Sequence, residues 1–289
     1  MTATTATAGL NRPGTWLRRR TGGLAPSGWA AVAVLAIVVL ISFVGPYLIH
    51  TDPNAVDLSS AYYAPSAAHP FGQDASGRDI LARLIFGGRT ALIGPFLVVA
   101  ASTVVGTVLA LAAVWFGGWF DAVVVRVIDA IFAFPGLLLA ILATALFGAG
   151  LPAAIVALSI SYIPYIARVV RSAALRERSL PYVAALRVQG VRGSMISLRH
   201  ILPNVASLIV ANATLAFGFA LIDLAALSFI GLGVQPPTAD WGAMVGQGMA
   251  GILQQQPAES IYASVLIVIT VGAANLLGDR LTERSEARA

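Results

Sequence analysis

The sequence has no cysteine, no lysine and few charged residues. Of its 289 residues, 11% are charged and 58% are hydrophobic, and all 18 basic residues are arginines. Without cysteine the chain forms no disulfide framework, no cysteine-ligated zinc site and no cysteine nucleophile. A mean hydropathy of +0.83 does not fit a surface solvated by water. The composition therefore predicts a membrane protein.

Motifs of catalysis and metal binding are also missing. His50, His69 and His200 lie far apart, and none has the spacing of a metal-binding pair such as His-Glu-x-x-His. The chain has neither a Gly-x-Ser-x-Gly elbow nor a Walker A phosphate loop. We therefore expect no catalytic residue, no metal and no cofactor bound by this chain, and no ATP hydrolysis by a P-loop of its own.

Six apolar runs are long enough to cross the hydrocarbon of a membrane, which takes roughly 20 helical residues. They cover residues 27–49, 91–116, 122–147, 151–171, 204–230 and 260–278. Because only FGGWFDA separates the second run from the third, five spans with the termini on opposite sides are the alternative.

The positions of the arginines distinguish the two arrangements. With six spans and a cytoplasmic N-terminus, only Arg78, Arg83 and Arg89 face outward, and the outward segment 231–259 has no basic residue. The cytoplasmic arginines are then Arg12, Arg18, Arg19, Arg20, Arg126, Arg168, Arg171, Arg176, Arg178, Arg187, Arg192, Arg199, Arg280, Arg284 and Arg288. This asymmetry follows the positive-inside rule and predicts that both termini are cytoplasmic. The same placement argues against a nucleic-acid partner, which needs the arginines on one exposed face.

The chain divides into three parts. Residues 1–26 are predicted to be a cytoplasmic tail near anionic lipid, 27–66 hold the first span and the start of the outer segment, and 67–289 hold the rest. The arginines in TWLRRRTGG could begin a signal peptide, but the apolar run that follows is too long and has no small-residue cleavage site. We therefore expect the tail to be retained.

Two segments between spans are predicted to lie outside. GRDILARLIFGGRT, residues 77–90, has apolar residues on one face and an arginine near each end, which favours a short interfacial helix before the second span. Residues 231–257 cannot cross lipid as a regular helix, because Pro236 and Pro237 remove backbone donors. We interpret them as an outer loop.

Two acidic residues lie within predicted spans. Asp129 is three residues after Arg126, and this spacing predicts an ion pair within one helix. Asp223 lies deeper, and the cost of a charge in hydrocarbon predicts that it faces protein or a water-filled path. A structural hydrogen bond to a neighbouring helix, a role in translocation and proton coupling all remain open for Asp223. Asn212 is a second, weaker candidate for a translocation path.

The polar segment RSLPYVAALRVQGVRGSMISLRHILPN, residues 178–204, lies between two of the most apolar runs. Ser179 is predicted to cap a first short helix, which Gly190 ends as a C′ residue. Ser194 is predicted to cap a second short helix, and Pro203 to mark the entry to the next span. The first helix has Tyr182, Ala185, Leu186 and Gln189 along one side. From the residues alone, a docking site and a hairpin resting on lipid are both open.

Within this segment, YVAALRVQGVRGSMISLRHILPN resembles the cytoplasmic EAA loop of the permease subunits of bacterial ABC importers. In that family the loop is the coupling helix, which docks in a groove of the ATPase subunit. Other stretches are similar to the second permease of the dipeptide, oligopeptide and nickel uptake group, and the resemblance covers about residues 69–283 in order. They are HPFGQDASGRDILARLIFGGRTAL, GGWFDAVVVRVIDAIFAFPGLLLA, ALSFIGLGVQPPTADWGAMVGQG and NLLGDRL.

The resemblance implies an all-α membrane protein with six transmembrane helices and both termini cytoplasmic, the transmembrane domain of a type I ABC importer. The family's glutamate aligns with Ala184, and its third small residue aligns with Leu186. This chain therefore lacks the ATPase contact made by that glutamate, unless Arg187 or Gln189 makes a replacement contact. The residues that match the loop, and are implied to couple to the ATPase, are Tyr182, Ala184, Ala185, Arg187, Gln189, Gly190, Arg199, His200 and Pro203.

The implied partners are a homologous second permease, one or two ATPase subunits that bind ATP and magnesium, an extracytoplasmic solute-binding protein and the lipid of a bacterial plasma membrane. The implied cargo is a di- or oligopeptide, and nickel, haem and glutathione are alternatives carried by related permeases. Two functions of a different class are alternatives: a proton-coupled secondary transporter that uses Asp223, and a membrane scaffold that transports nothing. No inverted repeat supports the first, and the ordered signals of the polar segment argue against the second.

Overall fold

The computed structural model describes residues 26–286, and the architecture within that range is helical, with one isolated bridge between Gln73 and Asp79. The predicted tail, residues 1–26, lies almost entirely outside the described residues. The helices are α1 (Pro26–Leu48), α2 (Ile80–Phe116), α3 (Gly118–Phe132), α4 (Gly136–Phe147), α5 (Leu151–Arg178), α6 (Pro181–Val188), α7 (Gly193–Ile196), α8 (Leu202–Phe229), α9 (Trp241–Gln247), α10 (Met249–Leu253) and α11 (Ala258–Glu286).

Five helices in the described range are long and apolar enough to cross a membrane, and the bent pair α3 and α4 counts as a sixth when it is taken as one broken span. The prediction of one continuous third span over 122–147 is therefore wrong. The two halves meet at an angle of 79°, at Pro135, which precedes the first residue of α4. A proline removes a backbone donor and disfavours helical geometry at the residue before it, so Phe134 cannot continue α3.

The second span is longer than predicted, and the separate interfacial helix over 77–90 is wrong. Those residues form the first turns of α2, which has 37 residues and is about 55 Å long at 1.5 Å per residue. The Asp79 side chain caps it by accepting a hydrogen bond of 2.6 Å from the Ala82 amide. No proline occurs before Pro95, so nothing interrupts the helix between the cap and the apolar run.

The core of the described chain lies where α2, α5 and α8 pack together. Val98 from α2, Leu158 from α5 and Ala220 from α8 are buried in one cluster. Gly106 lets α2 approach α5 closely, since a Cβ there would lie 3.1 Å from the Ile163 carbonyl oxygen. Such small residues allow the close helix packing on which association in lipid depends.

The segment after α8 packs back onto the spans through the short helices α9 and α10. Trp241 is fully buried, and its Nε1 donates a 2.8 Å hydrogen bond to the Leu84 carbonyl oxygen of α2. Arg83, also fully buried, donates to Gln247 of α9 at 3.1 Å and to the carbonyl oxygen of Pro53 at 3.3 Å. The predicted outer segments are thus tied to the same end of α2.

Candidate functional site

The polar segment 178–204 folds as α6, a tight turn, α7 and a π-helical turn that runs into α8. The predicted cap at Ser179 is wrong, because Leu180 is the N-cap of α6 and the Ser179 hydroxyl instead donates to the Arg176 carbonyl oxygen at 2.7 Å. The predicted cap at Ser194 is also wrong, because α7 begins after Arg192. Pro181 does occupy the first turn of α6, where a missing amide costs nothing.

The turn after α6 contains Gly190, the glycine predicted to end this helix. Gly190 has a φ of +79°, which confirms the predicted C′ glycine. Its amide donates to the Arg187 carbonyl oxygen at 3.0 Å, and the Val191 amide donates to that of Leu186 at 3.1 Å. This pair of bonds is a Schellman motif, and Leu186 and Val191 pack on the same buried cluster.

The second half of the segment is not a separate helix. Residues Gly193–Phe229 form one continuous span, and Pro203 lies in the first turn of α8, at the entry predicted for it. The Leu202 amide donates to the Ser197 carbonyl oxygen, five residues back, in the π-helical turn Ser197–Ile201. A proline ring clashes with the carbonyl of the residue four positions earlier, and the wider turn beside Pro203 relieves this crowding.

A buried cluster attaches the segment to the spans. Val183, Ile196 and Ile201 are fully buried against Leu111 and Val114 near the end of α2. No prediction from the sequence included Val183, although an apolar residue between Tyr182 and Ala184 in a polar loop is a signal of a packed face. The orientation of α6 is therefore set by α2.

Trp115 of α2 packs directly against the segment. A Cβ added to Gly193 would lie 1.4 Å from Cζ2 of the Trp115 ring, so the ring lies against the glycine backbone. The guanidinium carbons of Arg178 and Arg187 lie 5.6 Å and 5.3 Å from the centre of that ring. Cation–π attraction and the contact with Gly193 together hold α5, α6 and α7 on one side chain of α2.

Glu177, the only acid between Arg168 and Asn204, joins three helices. It accepts hydrogen bonds from the Tyr182 hydroxyl at 2.8 Å and from Nδ2 of Asn204 at 2.6 Å. Burial of the phenol, with the bond to Glu177 and its charge, raises the pKa of Tyr182 to about 12. Tyr182 therefore stays protonated and donates at neutral pH. Glu177 was not among the predicted site residues, although a single acid among arginines is a signal of a structural ion or hydrogen-bond partner.

The outer surface of the segment is exposed and basic. Of the nine residues predicted to couple, only Tyr182 and His200 are partly covered, and the other seven are exposed. Those seven are Ala184, Ala185, Arg187, Gln189, Gly190, Arg199 and Pro203. Val188, which the prediction omitted, is 90% exposed. The end of α6 thus presents an apolar side chain next to the exposed Arg187.

The predicted acid in the third span has a different partner from the one expected. Asp129 does not pair with Arg126; its Oδ1 lies 2.6 Å from Nη2 of Arg168 on α5. A second pair joins the same helices, since Arg171 donates to both carboxylate oxygens of Asp121 at 2.6 and 2.7 Å. Because α5 packs alongside α3, Arg168 reaches Asp129 and Arg171 forms a bidentate pair with Asp121.

Asp223 and Asn212 each bond to a tyrosine of α5. The Tyr162 hydroxyl donates to Oδ2 of Asp223 at 2.8 Å, and the Tyr165 hydroxyl donates to Oδ1 of Asn212 at 2.8 Å. Asp223 is partly exposed and lines an open cavity of about 450 Å³, whereas Asn212 is buried behind its wall. The cavity is lined by Pro135, Gly136, Leu137, Ser161, Tyr162, Tyr165, Ala216, Phe219 and Asp223.

Known proteins resemble this chain along most of its length. Residues 79–289 match the family described as binding-protein-dependent transport system inner membrane component. The glutathione transport system permease protein GsiD of Pectobacterium atrosepticum is 38% identical over 255 residues, which cover 88% of this chain and 84% of that protein. The dipeptide transport system permease protein DppC of Alkalihalophilus pseudofirmus is 34% identical over 257 residues, covering 87% and 84%.

A solved structure has the same fold. A chain of the inward-facing MetNI methionine ABC transporter matches with a TM-score of 0.58 at 22% identity, over 70% of this chain and 96% of that chain. Together with the helical architecture, this likeness shows the transmembrane fold of a type I ABC importer. The chain belongs to the binding-protein-dependent transport system inner membrane components, as an ABC importer permease of the peptide group in the bacterial inner membrane.

Proposed function

We propose that this permease forms a translocation path for di- or oligopeptides together with a homologous second permease, and that ATPase subunits drive it through residues 178–204. An extracytoplasmic solute-binding protein delivers the cargo, and the ATPase subunits bind ATP and magnesium. ATP closes the ATPase pair, the coupling segment moves with it, and the cavity between the permeases switches from inward to outward access. The chain itself carries no catalytic step.

The observation that supports coupling most directly is the rigid mounting of an exposed surface. The Schellman turn at Gly190 fixes the exit of α6, and Trp115 holds Gly193. On this frame Val188 is exposed, while the Arg187 guanidinium folds back over the Trp115 ring of α2. A force applied to α6 is therefore passed to α2 and α8, whereas a hairpin resting on lipid would need no such attachment.

The charge of the surface indicates the character of its partner. Residues 178–204 contain four arginines, Arg178, Arg187, Arg192 and Arg199, and no acid. We infer that the ATPase groove is acidic around an apolar pocket that receives Val188. Because Ala184 provides no acid, Arg187 and Gln189 supply the polar contacts of α6.

Two cargo classes are supported by the names of the relatives. One relative is a dipeptide permease and another a glutathione permease, and glutathione is itself a short peptide with a free amine. We propose peptides as the cargo class, with glutathione as the second candidate.

The test is reconstitution of the tagged chain with its co-purifying subunits in liposomes. Dipeptides, a longer peptide, glutathione, nickel and haem are compared for stimulation of ATP hydrolysis and for uptake. We expect ATPase subunits and a second permease to co-purify, and peptide to stimulate hydrolysis. Stimulation by nickel or haem alone would contradict the proposed cargo, and the absence of an ATPase subunit would contradict the coupling role.

A further inference from the structure

The carboxylate of Asp223 uses only one of its oxygens within the described chain. Tyr162 donates to Oδ2 at 2.8 Å, and no described residue donates to Oδ1. The carboxylate lines the open cavity of about 450 Å³. Tyr162 lies eleven residues into α5, about 16 Å along its axis, so the site is at membrane depth. An unpaired charge is costly there unless a ligand or water meets it.

Three aromatic side chains line the cavity beside this carboxylate. Tyr162, Tyr165 and Phe219 line the same cavity, with Ser161 beside them. The face of an aromatic ring attracts a cation, and the attraction grows when water is excluded. A carboxylate among aromatic faces is therefore suited to a protonated amine.

The lining of this cavity contains no basic side chain. A group with a negative charge would meet only the carboxylate of Asp223 and the hydroxyls of Ser161, Tyr162 and Tyr165. The wall thus discriminates by charge, because it attracts an ammonium group and repels a carboxylate.

We propose that Asp223, Tyr162, Tyr165 and Phe219 form an ammonium-binding subsite in the translocation path, which receives the protonated N-terminal amine of a passing peptide. This deepens the proposed function and rests on it for the identity of the cargo. The peptide's own carboxylate is held elsewhere in the path. Tyr162 orients the Asp223 carboxylate through Oδ2 and leaves Oδ1 for the ligand.

The electrostatic part is tested first, without any peptide. The chain has no native cysteine, so Phe219→Cys, at a side chain that is 55% exposed, introduces one thiol into the cavity. Ser161→Cys is the second position. In the permease–ATPase complex, labelling rates are compared for methanethiosulfonate reagents that carry an ammonium or a sulfonate. We expect the ammonium reagent to be favoured, and Asp223→Asn to lower that preference about tenfold.

Asp223→Glu is the matched control, because it keeps the charge and should keep the preference. If Asp223→Asn leaves the ratio of the two rates unchanged at both cysteine positions, the subsite is overturned. The ratio would also stay unchanged if a cationic side chain of the second permease neutralised Asp223. In that arrangement Asp223 has no charge left for an ammonium ligand, so the subsite is excluded as well.

The ligand is tested next, by protection of the cysteine in Ser161→Cys, because Phe219 is itself part of the proposed subsite. Dialanine and N-acetyl-dialanine are added at millimolar concentration to the complex in liposomes of phosphatidylcholine and phosphatidylglycerol, which contain no primary amine. We expect dialanine to slow labelling and N-acetyl-dialanine not to. Equal protection by both, or protection by phosphatidylethanolamine in place of dialanine, overturns the peptide-amine site. If the site fails this test but the complex still takes up peptide, the proposed function stands without the subsite. If no peptide stimulates ATP hydrolysis, the proposed cargo is wrong, whatever the result at the subsite.

Discussion

Arg89 of α2 supplies the hydrogen-bond donor that Pro46 removes from α1. In a regular helix the amide at position 46 would bond to the carbonyl oxygen of Ser42, but proline has no amide hydrogen. Nε of Arg89 donates to that oxygen at 3.3 Å, and its Nη2 donates to the Phe43 carbonyl oxygen at 3.0 Å. Arg89 is thus a structural link between α1 and α2.

We predict that Arg89→Leu weakens the attachment of α1 to α2. A buried carbonyl without a partner costs about 1–3 kcal/mol, so the melting temperature of the purified complex in detergent should fall. Pro46→Ala, which restores the helical amide, should recover part of that loss when combined with Arg89→Leu. Equal destabilisation in the single and the double variant would contradict the link.

A valine at position 190 should uncouple the permease from the ATPase. Gly190 has φ of +79° and open space around it, so the cost is conformational, roughly 1–2 kcal/mol for a residue with a side chain. Gly190→Val should leave assembly with the second permease intact and abolish substrate-stimulated ATP hydrolysis.

The matched control for this substitution is Gly190→Asn, because asparagine tolerates positive φ. It should keep most of the stimulated hydrolysis, and Ala184→Glu, which restores the family's acid, should be tolerated. If Gly190→Val keeps both ATPase co-purification and turnover, the segment is a hairpin resting on lipid.

Contact between Trp115 and Gly193 should be as important for coupling as the turn itself. Gly193→Ala places a methyl group 1.4 Å from the original position of Trp115 Cζ2, so the ring must move. We expect less transport per ATP hydrolysed, measured in liposomes, while total expression stays the same. Ser194→Ala, at an exposed neighbour, is the control. An unchanged ratio of transport to hydrolysis in Gly193→Ala would show that this contact transmits no force.

The orientation of the chain can be tested with single cysteines, one on each predicted side. Ser197 would be a poor position because it is buried, whereas Ser194 and Thr238 are exposed. In intact cells an impermeant thiol reagent should label Thr238→Cys and spare Ser194→Cys, because the arginines sort to the cytoplasm. The opposite labelling pattern would reverse the predicted topology.

Several features were readable from short stretches of sequence because their causes are local. The apolar runs predicted the spans, since crossing hydrocarbon requires length and apolarity alone. Gly190 predicted its own turn, because only a residue without a Cβ takes positive φ freely. The break at Pro135 also has a local cause, but hydropathy alone did not predict it, because the residues on both sides of Pro135 are apolar.

The sequence by itself determined the membrane class, the spans and the polar segment, because these depend on composition and on neighbours within a few residues. Only the tertiary structure decided which groups meet across helices. Asp129 pairs with Arg168 and not with Arg126, and Asp223 shares a cavity with Tyr162, although 61 residues separate them. Such pairings depend on the rotation and depth of whole helices, which are set by packing of many small side chains and are not encoded in any single stretch.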